Sequence, residues 1–238
     1  SFYMLEKLKE DMRKLASPEK AKSLQRFFKT ENGQYGEGDI FLGVIVPDTR
    51  KIAKKYYDLD SYALQELLNS KIHEERLLAL IILTEKYKKS KKDMLKRRQI
   101  FEFYLKNTNR VNNWDLVDLS APNIVGEFLQ KEDTGILRQL AKSESIWERR
   151  IAIISTYSFI KKRSFGEALA VSDILLKDKH DLIHKAVGWM LREIGKRNKN
   201  VLEIFLQPRY KEMPRTMLRY AIEKFPEEER KRWLKGKV

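Results

Sequence analysis

The sequence predicts an all-α chain, and three observations carry that reading. Glycine and proline are scarce, ten and six among 238 residues. Between them, apolar residues recur three and four positions apart, separated by Lys, Arg, Glu and Gln, which all favour helix. Helix starts fall where these stretches begin: Ser17-Pro18-Glu19 sets a capping hydroxyl before a first-turn proline, Asp60-Ser61 precedes YALQELL, and Val46-Pro47-Asp48 opens another. The segment ENGQYGEGDIFLG (31–43) holds four of the ten glycines but lacks the Gly-Lys-Ser/Thr ending of a phosphate loop. It reads as an ordered loop between helices.

Composition bounds the function. With 42% hydrophobic residues the chain can bury a sizeable core, and residues 1–238 read as a single domain. A net charge of +15 points to a polyanionic partner. The longest apolar run, LLALIIL (77–83), is too short to span a bilayer, and SFYMLEKLKE lacks the apolar core of a secretory signal, so no membrane association and a cytoplasmic location are expected. The absence of cysteine excludes disulfides, thiolate catalysis and Cys-ligated zinc.

The helices repeat. Arg76-Leu-Leu-Ala79, Arg149-Arg150-Ile-Ala152 and Lys185-Ala-Val-Gly188 each place a base a few positions before a small residue in an amphipathic stretch. The small anchors Ala79, Ala152 and Gly188 are 73 and 36 residues apart, so one unit is missing between the first two. Adding one period to Ala79 lands on Asp115, and Ala221 continues the series towards the C-terminus. Paired helices at a period in the mid-thirties predict an α-solenoid of HEAT-like repeats, in which each unit buries its apolar face against its neighbours. Equivalent positions would then line a concave basic face, with Arg76, Arg149 or Arg150, and Lys185 as a stripe for duplex phosphates. Each of these bases could equally be the solvated edge of its helix. The run KYKKSKKDMLKRR (86–98) reads as a solvated segment between repeats.

The middle repeat, NNWDLVDLSAP (112–122), inverts the pattern: Asn112 stands where a base is expected, and Asp115 and Asp118 follow. Trp114 and Asp118 are four apart and share a helix face, whereas Asp115 is turned about 100° away. Pro122 has no N–H, so a helix running through it loses a bond to the Asp118 carbonyl and kinks. Asp118 could instead cap a helix beginning near Pro122. An ionised carboxylate in a basic groove repels phosphate, and stabilising a developing positive charge would give it a use. Trp114 and Trp189 are open to either burial or stacking on a sugar or base. His180 and His184 have no third ligand, no G-x-S-x-G motif occurs, and no metal or cofactor is expected.

Taken in order, NNWDLVD, SIWERRIAI (145–153) and HKAVGWMLRE (184–193) resemble the DNA alkylation repair family of AlkD-type glycosylases, from about residue 15 to residue 225. The resemblance implies hydrolytic excision of cationic N3- and N7-alkylated purines from double-stranded DNA by a monomer, without turning the base into a pocket. Asp118 would stabilise the sugar cation and orient water. Trp114 and Trp189 would lie against the deoxyribose, and Arg150 would hold a phosphate, with Arg149, Lys185, Arg192 and Arg76 as further DNA contacts. One departure is Arg26-Phe27-Phe28, where a relative carries Tyr after Arg, so a hydroxyl able to reach DNA is lost. A different class of function is a non-catalytic HEAT-like module that binds nucleic acid, for which Asp118 has no purpose. A protein-binding scaffold is a third, and it predicts a discontinuous basic stripe.

Overall fold

A computed structural model describes residues 2–238, and helices dominate it. Among the described residues the one extended pairing is an isolated bridge between Ile40 and Ile72. Contacts divide the chain into two compact units, residues 1–120 and 121–238. The first contains α1 (Phe2–Lys14), α2 (Pro18–Phe27), α3 (Val46–Lys55), α4 (Ser61–Leu68), α5 (His73–Lys89), α6 (Met94–Lys106) and α7 (Trp114–Ala121, whose last residue begins the second unit). The second contains α8 (Gly135–Ala141), α9 (Ile146–Ser155), α10 (Tyr157–Ile160), α11 (Gly166–Ile174), α12 (Asp181–Arg197), α13 (Lys199–Leu206), α14 (Arg215–Ala221) and α15 (Glu227–Leu234).

All three expected helix starts form, two of them with a side-chain cap, while α3 begins at Val46 without one. Ser17 accepts from the Lys20 N–H at 3.3 Å ahead of Pro18, and Asp60 accepts from the Ala63 N–H at 2.9 Å, each supplying one of the bonds a helix start lacks. In the first unit α5 packs against α3 and α4, and its residues from His73 to Thr84 are all buried. A helix apolar around its circumference belongs in a core. α5 therefore forms the axis of this unit, and the four polar residues at its head, His73 to Arg76, are enclosed with it. The glycine-bearing loop closes over that head. Glu74 accepts from the N–H groups of Leu42, Gly43 and Val44 at 2.8–3.1 Å, and Gly43 adopts a positive φ of 84° to permit it.

In the second unit α12 packs against α9, α13 and α14. The small residues that mark the repeats lie at such contacts: Ala79, Ala152 and Ala221 are buried. A Cβ on Gly188 would stand 2.5 Å from Tyr220 Cβ and 2.7 Å from the Met217 carbonyl oxygen, so α12 and α14 approach this closely only because position 188 is glycine. Gly188→Ala should destabilise the protein by about 1–3 kcal/mol, because overpacking outweighs the roughly 1 kcal/mol that alanine gains in helix propensity. Urea unfolding of the two proteins tests this, and equal stability would contradict it.

Candidate active site

α7 opens at Trp114, whose N–H is capped by the Asn113 side chain at 2.9 Å. The indole lies on a ladder of rings. Trp114 stacks on Phe28 with centroids 5.1 Å apart and planes at 22°, Phe28 stacks on Phe41 at 5.1 Å, and Phe41 stacks on the His73 imidazole at 4.4 Å. Phe27 meets the indole edge-on at 5.8 Å. The Phe27-Phe28 pair, which on the sequence marked a lost hydroxyl, is thus the support for Trp114. A cleft of about 650 Å³ opens beside these rings, with Leu24, Phe27, Phe28, Val44, Leu77 and Trp114 among its apolar walls and Lys20, Ser23, His73, Glu74 and Asp115 as its polar lining.

Beneath the rings is a cluster of charges that sequence reasoning missed. His73 is 2% exposed, and its Nδ1 lies 2.6 Å from Asp39 Oδ2 and its Nε2 2.7 Å from Asp115 Oδ2. Arg76 Nη2 donates to the other Asp39 oxygen at 2.9 Å, and its Nη1 donates to the Ser70 carbonyl at 3.1 Å. Burial alone would lower the His73 pKa, but hydrogen bonds and charge from Asp115 and Asp39 overcome it and push the group up to about 9. Burial would raise Asp39, yet His73 and Arg76 hold it below the usual carboxylate range. The signal for this cluster was the polar tetrapeptide heading a helix that continues LLALIIL: a helix with no solvent face must bury and pair whatever charges it carries.

Asp118 lies one turn along α7 from Trp114 and is half-buried. Its charge, after the larger effect of burial, helps push up the pKa of the enclosed Tyr104 hydroxyl, which bonds Ser120 at 2.8 Å. Asp118 does not cap a new helix. Ala121 is helical, with φ −60° and ψ −48°, and α7 runs on as a π-helical turn over Pro122–Gly126. The wider turn is how the chain accommodates a proline without an N–H. Asp115, turned about 100° from Trp114 as the spacing predicts, faces His73.

The expected basic stripe needs correction. Arg76 is 2% exposed and its guanidinium is committed to Asp39 and Ser70, so it offers no charge to a phosphate. In the second unit Arg150 is 6% exposed and donates to the Leu182 carbonyl at 2.7 Å, which ties α9 to the first turn of α12. Arg149 pairs with Asp178 at 2.8 Å and Lys185 with Asp181 at 2.9 Å. Arg192 bonds Glu223, and Trp189 is half-buried beside the Tyr157 ring at 6.5 Å. No group of His, Asp and Glu suited to a metal ion occurs among the described residues, and none of their helices is long and apolar enough to cross a membrane.

Fold and site together define a helical-repeat protein with an indole and two carboxylates on one short helix. The family model for the DNA alkylation repair enzyme matches residues 8–225, and the chain belongs to that family. Two solved structures agree in fold. A predicted DNA alkylation repair enzyme from Enterococcus faecalis superposes with a TM-score of 0.67 at 15% identity, covering 89% of this chain and 97% of that one. AlkD2 from Streptococcus mutans gives 0.55 at 19% identity, covering 88% and 98%. A search of curated proteins returned no match.

The buried cluster gives stability a defined pH dependence. Because the His73 value is raised from 6.5, its contribution is complete below pH 6.5 and is lost as pH climbs through about 9, where the native state holds a proton the unfolded chain has released. Asp39 is lowered from 3.8, so its contribution is present above that pH and lost on acidification. Urea midpoints should therefore be highest between these limits and fall from pH 6.5 to 9, and His73→Gln should flatten the alkaline fall. An unchanged alkaline fall in the variant would contradict the assignment.

Proposed function

We propose that the chain is a monofunctional DNA glycosylase that hydrolyses the N-glycosidic bond of cationic N3- and N7-alkylated purines in duplex DNA. The observation that carries this reading is α7, which offers a half-buried carboxylate, Asp118, one helical turn from an indole supported on phenylalanines. Family membership and the net charge of +15 support a DNA substrate.

The chemistry suits a lone carboxylate. An alkylated purine already bears a positive charge, so its bond to C1′ breaks heterolytically with the electron pair passing to the base, which leaves neutral. No acid is needed to protonate it. The positive charge moves to the sugar, and Asp118 stabilises it there as water adds to C1′ and releases a proton to solvent. The products are the free base and an abasic site. Trp114 supplies a flat apolar surface against the deoxyribose. No metal, cofactor or Schiff-base lysine has a part in this sequence of events.

The parts given to residues of the second unit rest on the sequence resemblance. Trp189 would also contact the deoxyribose. Arg149, Lys185 and Arg192 would exchange their present acidic partners for phosphates. Arg150, being buried, would act by holding the first turn of α12, from which Lys185 and Trp189 follow.

Asp118→Asn keeps the shape of the side chain and removes its charge. It should slow release of 7-methylguanine from methylated duplex DNA by on the order of a hundredfold while leaving duplex affinity nearly unchanged. Unchanged release would refute the role of Asp118. Duplex binding by the wild type without any release would favour the non-catalytic module.

A further inference from the structure

His73 has a place in the fold that core packing does not explain. Both ring nitrogens lie within hydrogen-bond distance of carboxylate oxygens, Asp39 on one side and Asp115 on the other. Ionised carboxylates only accept, so both nitrogens must donate and the ring is an imidazolium. Through it three separate segments are joined: the glycine-bearing loop by Asp39, the head of α5 by His73 itself, and the first turn of α7 by Asp115. The other polar groups around the ring have partners of their own, apart from Arg76 Nε, which is buried without one. Arg76 donates to Asp39, the Asn113 amide reaches Asp39 Oδ2 at 3.4 Å, and Glu74 is held by the loop N–H groups. The faces of the ring meet Phe41 from the loop and Phe28, next to α2, which also carries Trp114.

We infer that His73 is a positioning residue for the proposed excision site: its Nε2–H bond to Asp115 fixes the first turn of α7, and so the placement of Trp114 and Asp118. The activity part of this inference rests on the glycosylase reading, whereas the placement of Trp114 does not. Loss of the ring proton leaves one N–H for two acids. Asp39 is 5% exposed and cannot turn to water, while Asp115 is 22% exposed and can. The remaining proton therefore stays on Nδ1 facing Asp39, and Asp115 is released. The start of α7 loses its tether and the indole above it shifts.

The test follows Trp114 and base release together from pH 6 to 10. Trp114 fluorescence is taken as the difference between wild type and Trp114→Phe, and excision as free 7-methylguanine in single turnovers. Both signals should change together with a midpoint near pH 9. Asp115→Asn removes one of the two carboxylates that hold the proton, and should move both midpoints down by at least one pH unit, a tenfold weaker hold on the proton. A structural role alone would lower activity without moving a midpoint. A fluorescence difference that is flat to pH 10, or a midpoint unmoved in Asp115→Asn, overturns the inference whatever the excision rate. A fluorescence transition that shifts in the variant, with no base released at any pH, leaves His73 as the tether of Trp114 and sinks the glycosylase reading.

Discussion

A buried imidazolium between two carboxylates is an expensive thing to enclose. Removing each charge from water costs several kcal/mol, and mutual attraction recovers this only where geometry is close and every remaining polar atom is satisfied. Around His73 the first condition is met, with bonds of 2.6 and 2.7 Å, and Arg76 with the Asn113 amide adds donors to Asp39. Such a cluster is a weak source of net stability, but removing one partner leaves another charge buried and uncompensated, which costs more than the pair contributes. The rest of the first unit is consistent with this: Glu74 binds the loop backbone, the loop delivers Asp39, and α7 starts where Asp115 can reach the ring.

The aromatic ladder converts that electrostatic constraint into a surface. His73 is its innermost rung and Trp114 its outermost, with Phe41 and Phe28 between. Stacked rings transmit position because the spacing of close-packed atoms leaves little slack. An indole held this way presents a fixed apolar plane, and a carboxylate one turn along the same helix is fixed relative to it. Preorganisation of this kind is what electrostatic stabilisation of a short-lived cation demands, since a group that must move into place gives back part of the benefit.

Much of this was legible in the sequence, and the limits have physical causes. Helix starts at Ser17-Pro18 and Asp60-Ser61 were readable because capping is local. That Asp118 shares a helix face with Trp114 while Asp115 is turned about 100° from that indole followed from helical spacing alone. Repeat anchors were readable because close helix approach admits only small residues, as Gly188 illustrates. Arg76 was misread as a surface base because the repeat pattern took precedence over the run LLALIIL behind it, which already said that α5 is enclosed. His73 escaped notice because its partners, Asp39 and Asp115, are 34 and 42 residues away, and no local pattern announces such a pairing. Phe28 stood out only as a missing hydroxyl, since its contact with Trp114 is equally remote in sequence.

Nitrogen NMR of the His73 ring in the intact protein at neutral pH tests the central claim most directly, because the two ring nitrogens report separately whether each bears a proton. Resonances of an imidazolium, protonated at both Nδ1 and Nε2 and titrating as one group well above the ordinary value of 6.5, are expected. A neutral ring with a single protonated nitrogen at pH 7 would contradict the account, since one of the two carboxylates would then have no donor from it and the tether on α7 would not exist.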